Sequence, residues 1–225
     1  MNYSVCVCAG AVLVLSPALS HSCRKDVLDT IAFARLAADE DIREGLHDSQ
    51  WFDVYSEVLS ACGWSAFVQQ HMYEPPQISG ETLSSKEILL ELARKFFSAS
   101  QATLISKALD SLADIHVDDP LNEQIRPVCL TGGIEKKRLT AMVGVVEEGG
   151  FLSMVSAAFN IQETLSVCSF ESEVGEPVPV GNITRRTYSA RFDQGRYDAF
   201  RQDTVEWLAA ELHAPYVEIA VLPRA

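Results

Sequence analysis

Residues Lys136 to Ser172 constrain the fold most. They read as three consecutive β-strands, Leu139 to Glu147, Phe151 to Phe159 and Leu165 to Glu171. Gly149-Gly150 separates the first two, and Asn160-Ile161-Gln162-Glu163 separates the second from the third. Val, Phe, Leu and Met suit a pleated, half-buried surface, and Gly-Gly takes the positive φ that a two-residue hairpin turn needs.

With Gly149-Gly150 as the whole loop, Glu148 pairs with Phe151, Val145 with Met154, Val143 with Ser156 and Ala141 with Ala158. The next turn then sets Ala158 against Leu165 and Ser156 against Val167. One face carries Ala141, Val143, Val145, Met154, Ala158, Leu165 and Val167; the other carries Met142, Val146, Val155, Ala157, Phe159, Cys168 and Phe170. Neither face is polar. An antiparallel sheet wetted on one side alternates cleanly, so this one is expected to be covered on both, by helices on one side and by a second layer or a partner on the other. The same Ser/Ala/Val strands also fit a membrane-inserting hairpin with alternating lipid-facing and lumen-facing residues.

The N-terminal segment, Met1 to Ser22, admits different readings. Val5 to Leu15 is an apolar run of signal-peptide length, Pro17 breaks it, and Ala18-Leu19-Ser20 has the small-x-small form of a cleavage site. No Lys or Arg precedes it, and the run is too short to span a bilayer as a helix. As a leader it places the protein in a secreted or periplasmic setting. The competing readings are a buried N-terminal strand and a misassigned start. Removing the leader takes away Cys6 and Cys8 and leaves Cys23, Cys62, Cys129 and Cys168, enough for two disulfides. Asn182-Ile183-Thr184 is a glycosylation sequon, meaningful in a secreted eukaryotic protein.

Helical spacing predicts α-structure over Asp26 to Ile42, Ser49 to Cys62, a segment opened by the capping box Ser84-x-x-Glu87, and Ser100 to Ile115. The last two read as a helical hairpin. Gly63 stops the second helix, and Trp64 to Met72 alternates as a strand before a break at Tyr73-Glu74-Pro75-Pro76. From Gln124 the period changes to two, with strands expected at Ile125 to Leu130, through the meander, at Thr184 to Phe192 and at Tyr216 to Leu222. Glu171 to Asn182 reads as a mobile loop, and Asp193 to Leu212 as one long amphipathic helix with Tyr197, Phe200, Thr204, Trp207, Leu208 and Leu212 on a face. The expected fold is a single α+β domain: N-terminal helices (23–119) packed on a C-terminal antiparallel β-meander (120–225), with that one long C-terminal amphipathic helix.

The formal net charge is −13. Such a chain repels phosphate backbones and anionic lipid headgroups, so nucleic acid is not an expected partner and charge does not support membrane adhesion. The basic clusters Lys136-Lys137-Arg138 and Arg185-Arg186 fall at expected strand starts, where exposed charge is ordinary.

No nucleophile elbow, P-loop, His-Glu-x-x-His or Gly-x-Gly-x-x-Gly is present. No cysteine pair outside the apolar leader has metal spacing, so neither a metal nor a cofactor is expected. Glu147 and Glu148 sit side by side at the hairpin tip, but neighbouring strand residues point to opposite faces and make a poor cation site. The candidate binding residues are the aromatics Trp51, Tyr55 and Trp64, as a ligand cage or as core, and His71. With Cys62 or Cys168, and Asp53 to orient it, His71 could form a nucleophile pair. The leading expectation is a non-enzymatic binding or assembly protein with a protein partner or self-association. The alternatives are a secreted membrane-active, toxin-like protein and a hydrolase with an unrecognised site.

Overall fold

A computed structural model describes residues 2–43, 50–74, 85–115, 130–131, 137–161, 179–211 and 215–223. The elements run β1 (Tyr3–Cys8), β2 (Ala11–Leu15), α1 (His21–Arg43), α2 (Trp51–Ala61), β3 (Trp64–Glu74), α3 (Ser85–Phe96) and α4 (Ala99–Ala113). There follow β4 (Leu130–Thr131), β5 (Lys137–Glu147), β6 (Phe151–Ile161), β7 (Pro179–Phe192), a single helical turn (Gln194–Tyr197), α5 (Arg201–Glu211) and β8 (Tyr216–Leu222). The strand order is β3-β7-β6-β5-β2-β1-β8, with short β4 also paired to β5. β2 and β5 run parallel, and the other described pairs are antiparallel.

Both faces are covered, each by helices. Cys6, Cys8, Leu13 and Leu15 point into one core with α1 and α2, while Val5, Val7, Val12 and Val14 point into the other with α3 and α4. The apolar run at the N-terminus therefore follows the buried-strand reading. It is a hairpin in the middle of the sheet, apolar on both sides because both sides are dry. Its turn holds Ala9 at φ 43° and Gly10 at φ 79°, the positive values of a primed turn.

The class is mixed α/β with helices interleaved among strands, in place of helices stacked on a separate C-terminal meander. β3 comes from the helical half of the sequence yet forms one sheet edge. The helices expected to seal one side divide between two.

The β5–β6 hairpin forms, with a register one residue from the expected one. Its turn spans three residues, Glu148–Gly150, with Gly149 and Gly150 both at φ 76°. Glu147 thus closes on Phe151, and Val145 faces Ser153, Val143 faces Val155 and Ala141 faces Ala157. A one-residue slip flips a strand. Met154 therefore joins Met142, Val146 and Leu152 in the α1/α2 core, while Val155 and Ala157 join Ala141, Val143 and Val145 beneath α3 and α4. On its other side β6 pairs with β7, the strand expected as the fourth. Asn160 and Ile161 extend β6 instead of turning, 179–182 belong to β7, and Tyr73 and Glu74 belong to β3. The strand expected at 165–171 lies outside the described residues, as do 125–129, Ser49 and Ser84.

The expected long C-terminal helix is broken in two. Asp193 caps the turn Gln194–Tyr197 by accepting from the Arg196 N–H at 3.2 Å. The chain then bends through Asp198–Phe200, and α5 begins at Arg201. The break lets the Arg201 guanidinium donate to both oxygens of buried Asp26 on α1, at 2.8 and 2.9 Å, while also reaching Asp198 at 2.6 Å. Tyr197, Thr204 and Leu208 are buried as expected, but Phe200 is 50% exposed. At the α2–β3 junction Gly63 is at φ +94°, and a Cβ there would lie 2.8 Å from the Asp193 carbonyl oxygen. Only glycine suits that stop.

A chain beginning at His21 lacks β1 and β2 and is expected not to fold, because β5 and β8 lose the strands that join them. Circular dichroism and cooperative urea unfolding check this; a cooperative transition in the truncated chain would contradict the central placement of the hairpin.

Candidate functional site

Trp51, Phe52, Tyr55 and Leu59 form the buried face of α2. The Trp51 and Tyr55 rings stack with centroids 5.2 Å apart at 10°, and Phe52 meets Tyr188 of β7 edge-on at 6.1 Å. Two guanidiniums sit on this group. Arg35 of α1 lies 4.8 Å over the Trp51 ring, and Arg186 of β7 lies 4.7 Å over Phe52. Buried cations need partners. Arg35 Nε donates to Asp39 at 3.1 Å, and the other Asp39 oxygen accepts from the Trp51 indole N–H at 2.6 Å. The indole hydrogen bond and the Arg35 guanidinium over the Trp51 ring tie α1 to α2, while the ion pair within α1 and the ring stack within α2 hold the groups that make them.

Trp64 belongs to a different contact group in the same core. Its ring lies 4.9 Å from Phe192, and its N–H donates to Thr30 at 2.9 Å. Trp51, Tyr55 and Trp64 are at most 3% exposed. Each already holds a partner inside the fold, as core residues do.

His71 stands apart, exposed on β3. Partial burial and the Arg186 charge push its pKa down, and Asp53 of α2 opposes them. Cys62 lies at the opposite end of β3, roughly 20 Å away at strand rise, so these two cannot form a nucleophile pair. Cys168 lies outside the described residues. Burial raises the thiol pKa of Cys62 to about 11 and that of Cys6 to about 12, and it pushes Cys8 well up. These groups stay protonated and unreactive near neutral pH. Cys6, Cys8, Cys23 and Cys62 are all free, so no disulfide joins them. Among the described residues no His/Cys/Asp/Glu cluster could hold a metal ion. The glycosylation sequon lies inside β7, with Ile183 buried.

Sequence patterning missed the role of Arg185-Arg186. These residues are 3% and 4% exposed, in mid-strand and not at a wet strand start. Neighbouring strand residues face opposite ways. Arg185 accordingly reaches Glu91 of α3 at 3.2 Å, while Arg186 covers Phe52 of α2. Two adjacent arginines inside an apolar alternation were the available signal.

Sequence patterning also missed the character of the sheet edge. β3 is outermost, and Ser65, Ala66, Phe67, Val68, Gln69 and Gln70 are all exposed. A bulge between Ala66 and Val68 turns Phe67 outward, 62% exposed. Its ring meets Phe151, itself 43% exposed at the β5–β6 turn, at 6.4 Å. Arg191 lies 5.2 Å over Phe151. Exposed aromatics in contact mark a surface more than a scattered apolar residue does.

No family matches the sequence, and no curated protein does. Solved structures that are distantly similar include two that align over most of this chain. One, described as a delta-endotoxin, aligns with a TM-score of 0.42 at 9% identity, over 81% of this chain and 80% of its own. The other, of the Evf virulence factor, gives 0.32 at 9% identity, over 91% and 82%. Both scores are too low to argue a shared function.

Asp39→Ala leaves a buried guanidinium without its carboxylate and is expected to cost about 3–5 kcal/mol, read from urea unfolding; Asp39→Asn, which keeps an acceptor for Trp51, costs less. The buried thiols give a second expectation. In the unfolded chain they ionise near 9.0; in the folded one Cys62 and Cys6 ionise at about 11 and 12. Folded pKa values are raised, so the folded state keeps protons that the unfolded state has lost, and stability falls as pH rises past 9. The loss is about 1 kcal/mol per thiol by pH 10. Denaturation series from pH 7.5 to 10 measure the slope, which Cys62→Ala makes shallower.

Proposed function

We propose that this chain is a non-enzymatic binding or assembly protein that acts through its surface. The observation that carries the reading is the exposed pair Phe67–Phe151 beside the edge strand β3, which has no Asp, Glu, Lys or Arg from Ser65 through Tyr73. The interior supports it too. The buried thiols are protonated, and the buried aromatics and cations hold one another. A surface of this kind takes an apolar or extended segment of a partner.

A second reading is membrane insertion of the β5–β6 hairpin. Both strands have 11 residues, enough to cross a hydrocarbon core when tilted. The face toward α3 and α4 carries Ala141, Val143, Val145, Val155, Ala157 and Phe159, while the other mixes Thr140, Gly144 and Ser156 with Met142, Val146, Leu152 and Met154. The first face suits lipid, and the second is only partly polar, a weaker alternation than a lipid-and-water strand shows. β7 fits poorly, since Arg185 shares the apolar face. Among the described residues no helix is long and apolar enough to cross a membrane, which says nothing of strands. Leakage of dye from liposomes tests this reading; intact vesicles across pH and lipid composition exclude it.

For the first reading, the wild-type chain and Phe67→Ser/Phe151→Ser are compared for self-association and for binding to a displayed library of extended peptides. The double variant is expected to keep its melting temperature within a few degrees and to lose affinity about tenfold. Equal association by the two proteins, or none by either, sinks the reading.

A further inference from the structure

We draw no further inference here: the strongest candidate, the exposed corner of the sheet where Phe67 of β3 meets Phe151 beneath the Arg191 guanidinium, belongs to the surface already described, and nothing in the structure shows what covers it, since Phe151 has Arg191 as its partner on one neighbouring strand and Glu147 on the other, charges that cancel as a guide to an occupant.

Discussion

A sheet that is apolar on both faces must be covered twice. The rest of this structure follows from that requirement. The strands β1, β2, β5 and β6 bury their side chains above and below. Their backbone hydrogen bonds run within the sheet, so each needs two strand neighbours as well as two helical roofs. The chain supplies the roofs as helical pairs, α1 with α2 and α3 with α4. The pairs land on opposite faces because β3, at one edge of the sheet, comes between them in the chain. Several charged groups enter this interior in paired sets. Arg35 comes with Asp39 and Trp51, Asp26 with Arg201 and Gln194, and Arg185 with Glu91. An ion pair of this kind is costly to break from one side, and that fixes which helix lies against which more than it adds net stability.

The sequence spoke clearly wherever one element's own period decided the outcome. α2 runs over Trp51–Ala61 with its Trp51, Tyr55 and Leu59 stripe inward, and α3 and α4 form their hairpin, with Ser98 and Gln101 making the capping box of α4. The covering of both faces was legible in the meander residues. The register was not, because a Gly-Gly pair fits a two-residue loop as well as the last two places of a three-residue turn. Only packing tells them apart: with the longer turn Val155 and Ala157 lie with Ala141 and Val143, and Met154 lies with Met142. The apolar N-terminus was ambiguous for a physical reason. A central strand hairpin and an export signal are both short apolar runs, and Val5 to Leu15 shows no alternation because neither face meets water. The break at Asp198 was invisible, since it depends on Asp26 from the other end of the sequence. The same holds for the candidate site. Aromatic spacing located Trp51 and Tyr55 on one face but could not show that Arg35 and Asp39 would occupy the space beside them.

The consequence for chemistry is a divided molecule. Inside, ionisable groups are paired or held neutral, and the thiols of Cys6, Cys8 and Cys62 are pushed away from ionisation. A group that cannot change its charge near neutral pH cannot serve as a base or a nucleophile there. Outside, the chain is acidic, and against that background a strand with no charged residue from Ser65 through Tyr73 and a pair of exposed phenylalanines stands out.

Topology explains why that surface exists. β3 leaves α2 early in the chain, but its partner β7 arrives only after the α3–α4 hairpin and the β5–β6 hairpin. Non-local pairing of this kind forms slowly, because the loop must close before the contacts repay it. Until β7 is in place, β3 has two open edges and little to hold it except α2, through contacts such as Gln69 with Ser56. A charged strand would be safer at that stage, yet Trp64 to His71 must also pair with β7, where Trp64 meets Phe192 in the core and Ala66 pairs with Ala190. The bulge at Phe67 reconciles the two demands at one end of the strand only. It spoils the open edge locally while the paired edge stays in register beyond it. The remaining length of β3 is therefore shaped by the needs of the side that is covered, and the bare side takes the residues that result.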